Sequence, residues 1–501
     1  MSEQGNRPWW WWVGVVLAGL VAVSVLVRLA GHEIGIVDTT AIIDGTHRSI
    51  DCVRSGVVRG CGFDPATQAT AVNPYPLLQY LPATVFVALG ASDDLTRTLL
   101  VWCNTAAVAG MVVIVARRAA SLAGTGLAVA SVVAMVTGMV LPYAGLSFGE
   151  PLVMLAVLVL CRLCLARRAT PWLLVAAVLA TVGKETLFSM VVLFAGGCIL
   201  LAEAPGEDGP AVQRRKAAWV LGGVALGVAA NLAFNVFRFG GVTNVQYLLE
   251  ARPGPREAVV NAVSLAVAPN GGIVWFWWTA VAALVVVLTA VVAPAVVTGD
   301  TGTDVLARRR VRLGAAAVAG GFVVGLGSLA FWWGPFGWHS WGPRLLLPFV
   351  PPLILAAVEL VGRPVGVRAR RRWVLPVGAV ALAGAVVLAV PTLAVVFAPQ
   401  AWVTHITATE QERPECATVG LRGPEGYGPF HDCLMAEAWR TSSMPLVASV
   451  TAAADTRGPW FWLTAAGAAL ALGWWLAVVV ISRRVGAPDR APPEIARLQR
   501  Q

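Results

Sequence analysis

The sequence predicts an all-α integral membrane protein, a bundle of about twelve transmembrane helices joined by extracytoplasmic loops. Three observations predict it. The 501 residues are 57% hydrophobic and only 13% charged, against about 25% charged in a soluble domain. The apolar residues come in long runs rather than at amphipathic spacing, and a bilayer core about 30 Å thick asks for about 20 such residues per helix. Short arginine clusters separate the runs. Backbone in lipid must satisfy its own hydrogen bonds, so the runs are helices, and the alternating pattern of an outer-membrane barrel is absent.

The net charge of +10 would suggest a nucleic-acid partner in a soluble protein. Here the arginines sit between apolar runs, so the positive-inside rule accounts for them and no nucleic acid is implied. The first run, Trp9 to Val27, reads as a retained anchor rather than a signal peptide. It is long, its n-region holds one arginine, and no small-x-small cleavage site follows.

Placing the clusters Arg117-Arg118, Arg167-Arg168, Arg214-Arg215-Lys216, Arg308-Arg309-Arg310, Arg368 to Arg372 and Arg483-Arg484 in the cytoplasm demands an even number of crossings between neighbours. The runs allow it: 122–143 with 151–166, 218–236 with 273–295, 313–333 with 345–361, and 374–398 with 459–481. Between Arg168 and Arg214 lies the stretch 171–202, interrupted by Lys184-Glu185. Its length of about 48 Å suits a hairpin whose tip is sunk below the outer surface. The short run after Asn73-Pro74-Tyr75-Pro76 reads as an interfacial or re-entrant helix, which leaves both termini cytoplasmic.

The chain then divides into a tail and first span (1–29), a first extracytoplasmic loop with juxtamembrane helices (30–95) and a bundle (96–398). The bundle has outer loops at 144–150, 183–186, 237–272 and 334–344. A bridged outer loop (399–458), a last span (459–482) and a cytoplasmic tail (483–501) complete it. Cys52, Cys61, Cys416 and Cys433 fall in the two largest outer loops as two local pairs. Disulfides persist outside the cytosol, so two local bridges are expected.

The polar residues gather on the outer side. The first outer loop carries His32, Glu33, Asp38, Asp44, His47, Arg48, Asp51 and Asp64. Asp38 follows the first span closely, where a carboxylate in a cavity can take a proton from an attacking hydroxyl. Asp44 and Asp51 read more simply as solvent-facing or capping acids. Glu150, before Pro151, stands at a helix start, the ordinary place for a dipole partner. Lys184 and Glu185 can pair with each other, or Lys184 can hold a phosphate as a point charge.

Arg344 enters a span from an aromatic, glycine-rich loop, where its guanidinium fork suits a lipid phosphate. Arg238 is similarly placed at the outer end of its span. Tyr247, Arg252 and Asn270 line the middle outer loop, and His339 reads as a structural hydrogen-bonder. Trp275, Trp277 and Trp278 read as interfacial anchors. The candidate substrate-binding set is Glu150, Lys184, Glu185, Arg238, Tyr247, Asn270, His339 and Arg344. Asp38 and Asp44 are the candidate catalytic acids. No Walker loop, dinucleotide fingerprint or metal-ligand cluster is visible.

This pattern resembles the GT-C superfamily of polytopic glycosyltransferases. The likeness rests on Asp38 after the first span, the Pro-Tyr-Pro-Leu-Leu-Gln-Tyr-Leu-Pro segment at 74–82 and Gly-Lys-Glu at 183–185. It also rests on Asn-x-x-Arg-Phe-Gly at 235–240 followed by Pro-Asn-Gly-Gly at 269–272, and on Trp-His-Ser-Trp-Gly-Pro-Arg-Leu-Leu-Leu-Pro at 338–348. The resemblance implies a GT-C-like bundle in a bacterial inner (plasma) membrane with an extracytoplasmic active site. It implies a polyprenyl-phosphate sugar donor whose anomeric carbon is attacked by a glycan or lipid acceptor, with inversion. Asp38 would be the base, and Arg344 and Lys184 would bind the donor phosphate. The family's acidic motif often has two neighbouring acids; here Asp38 has none adjacent, and Asp44 or Glu33 can substitute. Membrane lipid is the surrounding partner, and such a donor requires no cofactor.

Two other readings compete. A transporter or flippase for a lipid-linked sugar would show inverted repeats and polar residues along both halves of the bundle. A non-enzymatic assembly factor would depend on the Cys416–Cys433 loop and not on Asp38.

Overall fold

A computed structural model of the chain describes residues 37–64, 69–70, 72, 75–147, 149–184, 187–202, 209–244, 253–294, 305–332, 334–336, 342–362 and 424–439. The spans proposed at 9–27, 374–398 and 459–481 lie outside these residues, as do Glu33, Glu185, Tyr247, Arg252, His339 and Cys416.

The described chain is helical but for one short hairpin. It opens with α1 (Val37–Arg54), a hairpin of β1 (Phe63–Asp64) with β2 (Ala69–Thr70), and α2 (Leu77–Ala88). The first half of the bundle follows as α3 (Asp93–Ala123), α4 (Thr125–Val136), α5 (Val140–Ala144), α6 (Glu150–Cys164), α7 (Trp172–Val182) and α8 (Phe188–Leu201). The second half comprises α9 (Gly209–Phe239), α10 (Pro255–Val267), α11 (Ile273–Phe276), α12 (Trp278–Val292) and α13 (Val305–Ala330). A 3₁₀ turn (Arg344–Phe349) leads into α14 (Val350–Val361), and α15 (Pro424–Ala438) is last.

Four of these stretches are long and apolar enough to cross a membrane: Asp93–Ala123, Gly209–Phe239, Val305–Ala330 and Arg344–Val361. The helix starts follow local chemistry. Ser92 caps α3, its hydroxyl accepting from the Leu95 amide, and Asp93 and Asp94 occupy the first turn, where carboxylates meet the positive end of the helix dipole. Gly124 ends the same helix at φ +78°, a left-handed conformation that glycine adopts without a Cβ penalty.

The boundaries differ from the sequence reading in an informative way. The arginine clusters at 117–118, 214–216 and 308–310 lie within α3, α9 and α13, close to one end of each. Helical backbone continues through them because the clusters sit where the helices leave lipid. The run 122–143, expected as one span, instead divides into α4 and α5 around Gly138. The Trp277 ring packs there so closely that a Cβ on Gly138 would stand 2.2 Å from it. Trp277 is thus a core residue, 1% exposed, with its indole donating to the Ala134 carbonyl at 2.9 Å. It is not an interfacial anchor, because the break between α4 and α5 opens a slot that only an aromatic ring fills.

Small residues let the helices approach. Gly223 and Gly227 of α9, one turn apart, face α7; a Cβ on Gly223 would lie 2.5 Å from the Leu174 carbonyl oxygen. Gly197 of α8 and Gly314 of α13 oppose each other in the same manner. Apolar surface gains nothing by leaving lipid, so close backbone packing of this kind is what holds membrane helices together.

The polar contacts sort by end of the bundle. At one end Arg118 donates twice to Glu359, at 2.8 and 2.7 Å. There too Lys216 donates to the Cys164 carbonyl at 2.8 Å and to that of Ala166, and Arg310 to that of Ala202. At the other end lie the start of α6, the α7–α8 turn, the C-terminal end of α9 and the 3₁₀ turn.

At that second end Cys52 and Cys61 form a disulfide with Cα atoms 5.9 Å apart. The bridged segment docks on the end of α9: the Cys61 amide donates to the Phe237 carbonyl at 2.7 Å and Arg59 to that of Gly240 at 2.8 Å. Cys433 of α15 is also disulfide-bonded.

Candidate functional site

The site is built around a buried ion pair. Arg344 opens the 3₁₀ turn directly after Gly342-Pro343. Gly342 has φ +66°, and the Phe276 ring lies where its Cβ would be, at 2.6 Å; only glycine fits this backbone conformation and this approach. The turn delivers the guanidinium to Glu150 in the first turn of α6, with Arg344 Nε 3.3 Å from Glu150 Oε1. Both residues are 8% exposed. The other carboxylate oxygen, Glu150 Oε2, is buried with no hydrogen-bond partner among the described residues.

Lys184 joins this pair from the α7–α8 turn. Gly183 before it packs against Val153 of α6, with room for no side chain, and this holds the turn beside Glu150. Burial pushes the Lys184 ammonium down to about 8; the Glu150 charge opposes that shift and the Arg344 charge adds to it. Among the described residues, two cations and one carboxylate therefore share a low-dielectric place, where a charged partner is felt strongly.

The loop before Glu150 is pinned from two sides. Asn104 of α3 donates to the Leu146 carbonyl at 2.5 Å, and the Thr105 hydroxyl to that of Ala144 at 2.8 Å. Ser147 is hydrogen-bonded, hydroxyl to hydroxyl, to Thr39 in the first turn of α1. Gly149 lies against the Gln79 side chain, whose Cγ would be 2.1 Å from an added Cβ. Thus the start of α1, where Asp38 precedes Thr39, is tied to the loop that carries Glu150. Asp44 lies further along the same helix and is exposed.

Two candidates serve elsewhere. Arg238 is fully buried and holds α9 to the segment before α2: it donates to the Tyr75 carbonyl at 2.8 Å and to Asn235 Oδ1 at 2.6 Å. Its guanidinium stands 4.2 Å from the Phe234 ring centre and 4.8 Å from that of Phe239. Asn270 ties the segment after α10 to α15, its amide side chain donating to the Glu437 carbonyl at 2.9 Å and its backbone to that of Ala438. His431 with Asn261, and Trp439 with Ser264, complete the docking of α15 on α10.

Thr39 and Asn104 escaped the sequence reading, which placed Ser147 in the turn before Glu150 and Gln79 in the 74–82 segment without giving either a contact. The available signal was Asn104-Thr105 in the middle of an apolar run, since buried amides and hydroxyls in lipid need partners. Among the described residues no group of three or more His, Cys, Asp or Glu side chains is placed to hold a metal ion.

No family model matches the chain, and no curated protein matches it. Two solved structures are similar to it, both crystal structures of ArnT from Cupriavidus metallidurans. The one in the apo state is 15% identical over 88% of this chain and 77% of that one, with a TM-score of 0.39. The one bound to undecaprenyl phosphate is 14% identical over 89% and 79%, with a TM-score of 0.40.

Proposed function

We propose that the protein is a membrane glycosyltransferase that moves a sugar from a polyprenyl-phosphate donor to an extracytoplasmic glycan or lipid acceptor. The observation that carries this reading is the convergence of Arg344, Glu150 and Lys184. They meet at the end of the bundle away from the Arg118, Lys216 and Arg310 contacts. Two cations at one place suit the negative charge of a phosphodiester. The order of the motifs that resemble the GT-C superfamily adds weight.

Arg344 and Lys184 grip the donor phosphate, and Glu150 is a counter-ion to Arg344 while the site is empty. A buried guanidinium without an anion is strongly unfavourable, so Glu150 preserves the site between turnovers and yields part of Arg344 to the incoming phosphate. Asp38 is the general base. The acceptor oxygen forms a bond to the anomeric carbon as the bond from that carbon to the phosphate oxygen breaks. The electron pair leaves with the polyprenyl phosphate, the acceptor proton passes to the carboxylate, and the anomeric centre inverts. Arg344 and Lys184 stabilise the phosphate as its charge grows, which is the transition-state contribution of a preorganised cationic site.

Incubating the purified protein with a panel of polyprenyl-phosphate sugars and a mixed acceptor fraction tests this. Turnover of one donor, abolished in Asp38→Asn while that variant still binds the donor, is the expected result. Undiminished turnover in Asp38→Asn removes the base assignment, and turnover of no donor removes the activity.

A further inference from the structure

The opposite end of the bundle carries a second cationic group that the proposed transfer reaction does not use. Three helices meet there, α3, α6 and α14. Gly362, just past α14, is so close to Leu122 of α3 that a Cβ would lie 2.6 Å from the leucine's own. Each helix contributes charge to the junction, α3 two arginines and α6 and α14 one charged residue each. Arg118 of α3 and Glu359 of α14 form the bidentate pair described above, and both carboxylate oxygens are taken by it. Arg162, in the last turn of α6, is half-buried and lies within electrostatic reach of Arg118, Arg117 and Glu359. Among the described residues it has neither a hydrogen bond nor an ion pair.

Two ordinary explanations for Arg162 fall short. A cation at a helix C-terminus complements the dipole, but Lys216 already fills that role for α6, donating to the carbonyls of Cys164 and Ala166. Membrane topology asks for positive charge at this end, and exposed arginines such as Arg117, Arg168 and Arg312 supply it. Neither reason requires a guanidinium set into a junction of three helices near two other guanidiniums, with its five donors unpaired among the described residues. Among the described residues the junction holds three guanidiniums and one carboxylate, two positive charges in excess.

We propose that Arg162, with Arg117 and the outer edge of Arg118, forms a phosphate-binding site at the end of the bundle opposite the proposed transferase site. Its ligand is a phosphate-bearing anion, and the source favoured by position is the headgroup of an anionic phospholipid in the adjoining leaflet. Basic pockets between membrane helices recognise headgroups in this manner, and the planar fork of Arg162 matches two phosphate oxygens. The site stands whether or not the transferase reading does, since it shares no residue with it.

The test reconstitutes the full chain in vesicles of equal phosphatidylcholine and phosphatidylglycerol, extracts it, and counts the lipids retained per protein by mass spectrometry. Wild type is expected to enrich phosphatidylglycerol, and Arg162→Gln to reduce that enrichment about tenfold, the size of a lost charge-assisted contact. Arg117→Gln lowers it by less and serves as a second variant at the same junction. Arg312→Gln, exposed on α13, is expected to leave it unchanged. Inorganic phosphate that binds wild type at low millimolar concentration, but not Arg162→Gln, assigns the site to free phosphate instead of lipid. Equal losses in Arg162→Gln and Arg312→Gln, or no enrichment in wild type, overturn the proposal.

Discussion

Arg344 Nε stands 3.3 Å from Glu150 Oε1, and both side chains are almost wholly withdrawn from solvent. A buried pair of this kind adds little net stability, but breaking it leaves a charge uncompensated, at about 3–5 kcal/mol. Glu150→Gln is therefore expected to lower the thermal midpoint of the protein. Polyprenyl phosphate should restore more of that loss in the variant than it adds to wild type, because the phosphate replaces the missing carboxylate. Thermal unfolding with and without the lipid measures both effects. A variant that polyprenyl phosphate stabilises no more than wild type would show that Glu150 and the phosphate do not compete for Arg344.

With Lys184 in the proposed phosphate grip, donor binding acquires a pH limit. Burial holds its ammonium down to about 8, so the charged form is present below that pH and is lost as pH rises through it. A phosphodiester keeps its charge over this range. Donor affinity should fall on the alkaline side of about 8 in wild type, and Lys184→Arg, whose guanidinium stays charged, should show no such fall. Equilibrium binding from pH 6 to 10 reads the limb directly; the same alkaline fall in both proteins would assign it to another group.

The Cys52–Cys61 bridge fastens the segment after α1 to the end of α9 through the Cys61 and Arg59 contacts. Replacing both cysteines by alanine is expected to destabilise the protein by about 2–4 kcal/mol. Faster amide exchange at the end of α9 should accompany it. Unchanged exchange there would mean that the loop docks without its bridge.

Gly223 tests the close packing of α7 and α9. A Cβ at this position meets the Leu174 carbonyl oxygen at 2.5 Å, and backbone cannot yield as a side chain can. Gly223→Ala should cost about 1–3 kcal/mol through overpacking, whereas Gly196→Ala, with open space around it, should be close to neutral. The difference between the two unfolding midpoints is the measurement.

Much of this was legible in the sequence, for physical reasons that differ by residue. Charges resist crossing a bilayer, so the clusters at 117–118, 214–216 and 308–310 mark helix ends, and the structure gathers them at one end of the bundle. Lys184 and Arg344 stood out because ionisable residues beside apolar runs need a partner. The identity of that partner was not legible. Glu150 read as a dipole acid, and its pairing with Arg344 joins segments far apart in sequence.

The Thr39–Ser147 contact spans 108 positions and the Asn270 contact with α15 spans 167; no local pattern encodes such approaches. Arg238 illustrates the converse. Its placement at a helix end was legible, while its packing against Phe234 and Phe239 depended on how α9 meets the segment before α2. The two-residue strands Phe63–Asp64 and Ala69–Thr70 left no periodicity to read.

The most direct measurement is the affinity of polyprenyl phosphate for wild type, Arg344→Gln and Lys184→Gln in the same detergent at pH 7. The account predicts a loss of about ten- to a hundredfold in each variant, the size of one lost charge-assisted contact. Binding in both variants as tight as in wild type would contradict it.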